Sequence, residues 1–175
     1  QRQVIFSQRL KILKTNEVME MIYSFMDEIN QNIEKALENY KNNNDLKVFS
    51  NEVKTNFGGI FQEEEIKAFS KMDKKTLVEK IKNIFEERRN DRIKILGKEQ
   101  NNEIEKRIFL QMLDFLWRSH LQYLEQLRQV IGFRSYGQKD PLVEFRKEAF
   151  ELFEALLFKV KTHTIKFLMN LKVVV

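Results

Sequence analysis

Residue types able to carry covalent or metal chemistry are sparse in this chain. There is no cysteine, and the only histidines are His120 and His163. Zinc needs about four Cys, His or carboxylate ligands at suitable spacing, and two distant histidines do not supply them. Ser119 and His120 are neighbours, but adjacent side chains on a helix diverge by about 100° and cannot pair as nucleophile and base. Both histidines read as surface or core-edge residues. Glu63, Glu64 and Glu65 have the carboxylates that acid–base work requires, yet an acidic run at the start of a helix is also what the helix dipole favours. A phosphate-cradling loop needs several glycines followed by Lys and Ser/Thr at a helix start; Gly58-Gly59 is followed by Ile60 and Phe61 and reads as a plain turn. No catalytic residue, no metal site and no cofactor site is expected.

What remains is non-covalent recognition. Arg88, Arg89, Arg92 and Lys94 form one basic cluster, which Glu86, Glu87 and Asp91 balance, so it reads as a solvated helix face. Arg128, Arg134, Lys139, Arg146 and Lys147 form a second, with Phe133 and Tyr136 beside it. Two readings of those rings stand open: a binding role, since a turn has little structural need for two aromatics, or packing back onto the neighbouring helices. The lone tryptophan, Trp117, falls on an apolar face and reads as core or inter-domain packing. Asp114 and Arg118 have the spacing of an ion pair worth a few tenths of a kcal/mol.

The elements that must position this second cluster are two long helices. Ile104, Ile108, Met112, Phe115, Leu116, Leu121, Leu124, Leu127 and Ile131 recur at steps of three and four, the spacing of one helical face. Leu142, Phe145, Ala149, Leu152, Phe153, Leu156, Val160, Phe167, Leu168 and Leu171 do the same. Between them Gly132 and Gly137 loosen the backbone. Asp140 suits an N-cap and Pro141 a first helical turn. A short link between helices implies antiparallel neighbours, each arm roughly 45 Å long at ~1.5 Å per residue.

Upstream, residues 1–14 look helical, and Thr15 or Asn16 can cap a new helix whose stripe runs from Val18 through Met21, Ile22, Phe25, Met26, Ile29 and Ile33 to Leu37. Two short helices follow, from Leu46 and from Glu63, and then a longer one with Leu77, Ile81, Ile84 and Phe85 that reaches Leu96. Gly97 is a break. With 5 Gly and 1 Pro, these periods predict an all-α chain: the end of a helix (1–14), a small helical insert (15–96) and the hairpin (97–175). The uncapped start inside a helical pattern is what a piece of a longer chain would show. The formal charge of +5 permits contact with nucleic acid or anionic lipid without demanding it. No apolar run approaches the ~20 residues of a membrane span.

The runs Leu110-Gln-Met-Leu-Asp-Phe-Leu-Trp-Arg-Ser-His-Leu121, Leu124-Glu-Gln-Leu-Arg-Gln-Val-Ile-Gly132 and Tyr136-x-Gln138-Lys139-Asp140-Pro141 closely resemble the C-terminal helical region of SecA, the ATP-driven motor of bacterial protein export. Gln1-Arg-Gln-Val-Ile-Phe-Ser-Gln-Arg-Leu10 resembles the end of that family's long scaffold helix. Residues 15 to 96 match more weakly and occupy the place of its helical wing. The resemblance implies that the hairpin is the two-helix finger. Its tip (Phe133, Arg134, Tyr136 and Lys139) would contact the translocating preprotein and the SecY channel, with Tyr136 at the point of contact. Trp117, Arg118 and Arg128 would pack against and regulate the motor domains. The resemblance also implies a cytoplasmic protein peripheral to the inner membrane, with contact to anionic lipid and none to nucleic acid. ATP and Mg²⁺ would belong to the parent motor and no cofactor to this segment. In a departure from the family, Ser135 and Gly137 flank Tyr136, where Gly or Ala and then Ala are usual. The alternative, from composition alone, is a basic helical module binding nucleic acid or anionic lipid.

Overall fold

A computed structural model describes residues 1–16, 18–133 and 140–174. Among them every regular element is helical, as the periodicity predicts: α1 (Arg2–Lys14), α2 (Met19–Asn43), α3 (Leu46–Phe57), a 3₁₀ turn (Gly58–Ile60), α4 (Glu63–Ser70), α5 (Lys74–Leu96), α6 (Lys98–Ile131) and α7 (Pro141–Asn170). The chain forms two compact units, both discontinuous. One joins Gln1–Thr15 to Arg107–Val160; the other joins Asn16–Lys106 to Lys161–Val175. The second unit therefore holds the base of each hairpin arm as well as the insert.

In the first unit, Ile5 and Ile12 of α1, Phe109, Leu113, Leu116, Leu127 and Ile131 of α6, and Ala149, Phe153, Leu156 and Val160 of α7 are buried. Polar contacts fix their register. Arg9 Nη1 lies 2.5 Å from both carboxylate oxygens of Asp114, and Gln1 Nε2 donates to the carbonyl of Ala149 at 3.1 Å. Asp114 thus reaches α1, where its spacing had suggested Arg118. The buried stripes are also narrower than expected, for Phe115, Leu121, Leu142 and Phe167 are exposed. Phe115 and Phe167 directly precede the buried Leu116 and Leu168, and adjacent side chains diverge by about 100° on a helix, so a neighbour covers only one of each pair.

The second unit has the larger core. The predicted α2 stripe is buried from Val18 to Leu37 except at Met21, which is half-buried, and meets Phe49, Val53 and Phe57 of α3, Ile66 and Phe69 of α4, and Leu77, Ile81 and Phe85 of α5. Phe61 joins this cluster edge-on, 5.9 Å from Phe57 and 4.9 Å from Phe69 by ring centroid, a favourable quadrupole arrangement. Helix starts are set by local caps: Asp45 for α3, a Gln62–Glu65 capping box for α4 and Asp73 for α5, each holding otherwise orphaned N–H groups. α2 differs from expectation. It begins after Val18, without a side-chain cap, and tertiary packing of Val18 and Met19 takes the place of the local signal.

Two glycines have a backbone reason. Gly97 ends α5 with φ +84°, and Gly58 follows α3 with φ +71°, a region L side chains avoid. Gly58 also lies where Asn170 Nδ2 donates to the Phe57 carbonyl at 2.7 Å; a Cβ there would come within 2.9 Å of that nitrogen.

Tyr23 of α2 donates its hydroxyl to Glu86 of α5, and partial burial with this bond pushes its pKa up to about 12 from 10.0. The proton is held more tightly in the folded state. The stabilisation is therefore complete below pH 10 and is lost as pH rises toward 12. Melting temperature should fall across that window, and Tyr23→Phe should flatten this part of the profile; equal slopes would show that the pair contributes nothing.

Candidate functional site: the hairpin and its base

The start of α7 is built as its residues predict. Pro141 occupies the first position of α7, and Asp140 Oδ1 accepts the Leu142 N–H at 3.0 Å while the Asp140 carbonyl accepts that of Glu144 at 3.0 Å. These two groups fix where α7 begins. Phe133, just beyond the end of α6, is 74% exposed. Val130 on α6 and Leu142 and Val143 on α7 are at least half exposed as well, with Arg128, Arg146 and Lys147 exposed among them. Arg134, Tyr136 and Lys139 lie outside the described residues. The described part of the turn end is thus an apolar and cationic surface with no nucleophile–base pair. Among the described residues no cluster of His, Asp or Glu could hold a metal.

Away from the turn, the arms face each other through an aromatic group. Trp117 stacks on His120 at 5.5 Å and meets Phe153 edge-on at 6.4 Å, and His120 lies 5.8 Å from Phe153. Trp117 and Phe153 stand at nearly equal chain distances from the turn, so α6 and α7 run antiparallel here. Trp117 is half-buried, consistent with a packing role, whereas Arg118 and Arg128 are exposed on α6.

His120 is more deeply placed than a surface histidine. It is buried, and its Nε2 is 2.9 Å from Gln1 Oε1, which ties α1 to the arms. Burial holds its imidazole below the usual histidine range. Because the folded pKa is lowered, the stabilisation is present above about pH 6.5 and is lost as pH falls from there through the folded value. Acidification below 6.5 should lower the melting temperature of the parent more than that of His120→Gln; parallel profiles would contradict this.

The largest departure from the sequence reading is at the hairpin base. Arg89 and Arg92, expected on a solvated face, are buried, Arg92 at 2% exposure, and Glu105 of α6 is wholly buried between them. Arg89 grips Glu105 with two bonds, Nε to Oε2 at 2.9 Å and Nη2 to Oε1 at 3.2 Å. Arg92 Nη2 is 3.9 Å from the same carboxylate, while its Nη1 donates to the carbonyl of Leu168 at 2.9 Å and to that of Leu171 at 3.4 Å. The last turn of α7 has no basic residue of its own. Arg92 therefore supplies from α5 the cation that a helix C-terminus favours. Burial lowers the Arg92 pKa and Glu105 opposes that shift. The network joins the insert to both arms at their base. Lys161 Nζ adds a bond to Glu28 of α2 at 2.8 Å.

A model of the SecA Wing and Scaffold domain matches residues 1–172. The chain belongs to that family. The match spans the insert as well as the motif-bearing arms. Proteins named protein translocase subunit SecA are similar over nearly all of it. That of Pelagibacter ubique is 47% identical over 178 residues, covering 99% of this chain and 20% of the relative. That of Campylobacter concisus is 36% identical, covering 95% and 19%, and that of Syntrophomonas wolfei 31% identical, covering 99% and 21%. The chain spans about a fifth of the length of these SecA relatives. No helix among its described residues is long and apolar enough to cross a membrane.

Proposed function

We propose that this wing-and-scaffold segment acts as a mechanical and regulatory part of a protein-export motor whose ATP and Mg²⁺ sites lie elsewhere in a longer chain. Residues 1–14 are the end of the scaffold helix, 15–96 the wing, and 97–175 the two-helix finger. The finger tip, with Phe133, Arg134, Tyr136 and Lys139, meets the translocating preprotein and the SecY channel. Arg118 and Arg128 face the motor domains and transmit the state of the finger to them, while Trp117 holds the arms in register. The protein works in the cytoplasm at the inner membrane, peripherally attached. The observation that carries this reading is the exposed, aromatic and cationic turn end on a pair of helices locked by Trp117, His120 and Phe153. An aromatic ring offers a flat apolar face indifferent to sequence, suited to many different chains.

The test is a transplant. A full-length SecA whose own segment is replaced by this one should drive preprotein into SecY-containing vesicles, and Tyr136→Ala in that chimera should cut transport severalfold with the fold intact. A chimera transporting equally well with and without the ring would defeat the finger assignment.

A further inference from the structure

We propose that the last turn of α7 is the middle link of three helix ends closed in series, α5 holding α7 and α7 holding α3, so that loosening this turn also opens the end of α3. An α-helix leaves its last four carbonyls without partners of its own, and here the closing groups come from neighbouring helices. The last turn of α7 has no basic residue. Its Leu168 carbonyl takes Arg92 Nη1 of α5 at 2.9 Å, and the Leu171 carbonyl just beyond takes the same nitrogen at 3.4 Å. α3 does have Lys54 in its last turn, but that ammonium is paired with Glu63. The final carbonyl of α3, that of Phe57, is met instead by Asn170 Nδ2 of α7 at 2.7 Å. The same amide nitrogen donates to the Lys166 carbonyl, also at 2.7 Å, so Asn170 is held toward Phe57 by the helical turn it ends. Gly58 makes room for the link, since a Cβ there would lie 2.9 Å from Asn170 Nδ2 and 3.4 Å from Lys166 Cγ. Ile165, Leu168 and Met169 are wholly buried while Asn170 is exposed. Packing therefore fixes the body of α7, and the polar links fix its end. A neutral hydrogen bond is worth little net, so the end of α3 is poised to open once α7 lets go. The state of this turn is thereby passed from the base of the hairpin to the insert.

Amide hydrogen exchange on the intact chain tests the series, since exchange reports local opening. The Met169 amide reads the end of α7, and the Gly58 amide, bonded to the Lys54 carbonyl, reads the end of α3. The Asn44 amide, bonded to the Tyr40 carbonyl at the end of α2, is the control. Asn170→Ala should speed exchange at Gly58 by about two- to tenfold, the worth of one hydrogen bond, with Asn44 unmoved. Arg92→Met removes the hold on α7 and leaves the Arg89–Glu105 pair in place. It should speed exchange at Met169 and, through it, at Gly58. Both substitutions act through one link, so the double variant Arg92→Met/Asn170→Ala should exchange at Gly58 no faster than about twice the faster single variant, whereas independent holds would multiply. A Gly58 amide unmoved in Asn170→Ala overturns the proposal even if Arg92→Met fails to fold. So do single effects that multiply in the double variant, or an Arg92→Met chain in which Met169 quickens and Gly58 does not.

Discussion

Glu105→Ala will destabilise the chain by about 3–5 kcal/mol, the range for breaking a buried ion pair from one side. The carboxylate is fully buried and is the anion that Arg89 and Arg92 share. Its removal leaves Arg89 without its two-bond partner and Arg92 without its opposing charge. Both cations then sit in a site that still excludes water. Arg92 also caps the end of α7, so its displacement loosens the hairpin base. The double substitution Arg89→Met/Glu105→Leu should cost distinctly less than Glu105→Ala, because it removes charges of both signs and refills the volume. Urea unfolding checks both. A single variant within about 1 kcal/mol of the parent, the value typical of an exposed pair, would show that the network is solvated.

Phe153→Ala should cost about 3–5 kcal/mol, the usual range for truncating a buried aromatic, toward the lower end because the ring is not wholly enclosed. Phe153 is the α7 residue met by both Trp117 and His120, so the cavity opens between the arms. Trp117 is the only tryptophan, and its emission should shift to the red as water enters. Phe153→Leu keeps most of the volume and should lose only about 1 kcal/mol. Unchanged Trp117 emission in Phe153→Ala would mean that the arms are held together by something other than this cluster.

Much of the fold was legible because helix periodicity is a local signal. The α2 stripe, the Asp140–Pro141 start of α7, the break at Gly97 and the turn at Gly58 could all be read from neighbours in the chain. The Arg89–Glu105–Arg92 network could not be placed that way, because its partners come from three helices and charge counts alone suggest a solvated face. A clue was present. Arg89 and Arg92 continue the face of Leu77, Ile81 and Phe85, and Glu105 falls in line with Ile108 and Phe109, so charges of opposite sign extend two apolar stripes. His120 and Gln1 show the same limit: their contact closes between residues far apart in sequence. Within α1, Val4 and Phe6 are exposed while Ile5 is buried, since consecutive helical residues cannot share one face. At the turn, motif resemblance named the residues, and of these Phe133 is described and is exposed.

The most direct test of a finger that carries its tip to a moving chain is a pair of single-cysteine variants in a full-length SecA bearing this segment, with a preprotein stalled mid-transit. Tyr136→Cys should crosslink to the stalled chain, and Glu154→Cys, exposed partway along α7, should not. Crosslinking from position 154 with none from position 136 would contradict the account.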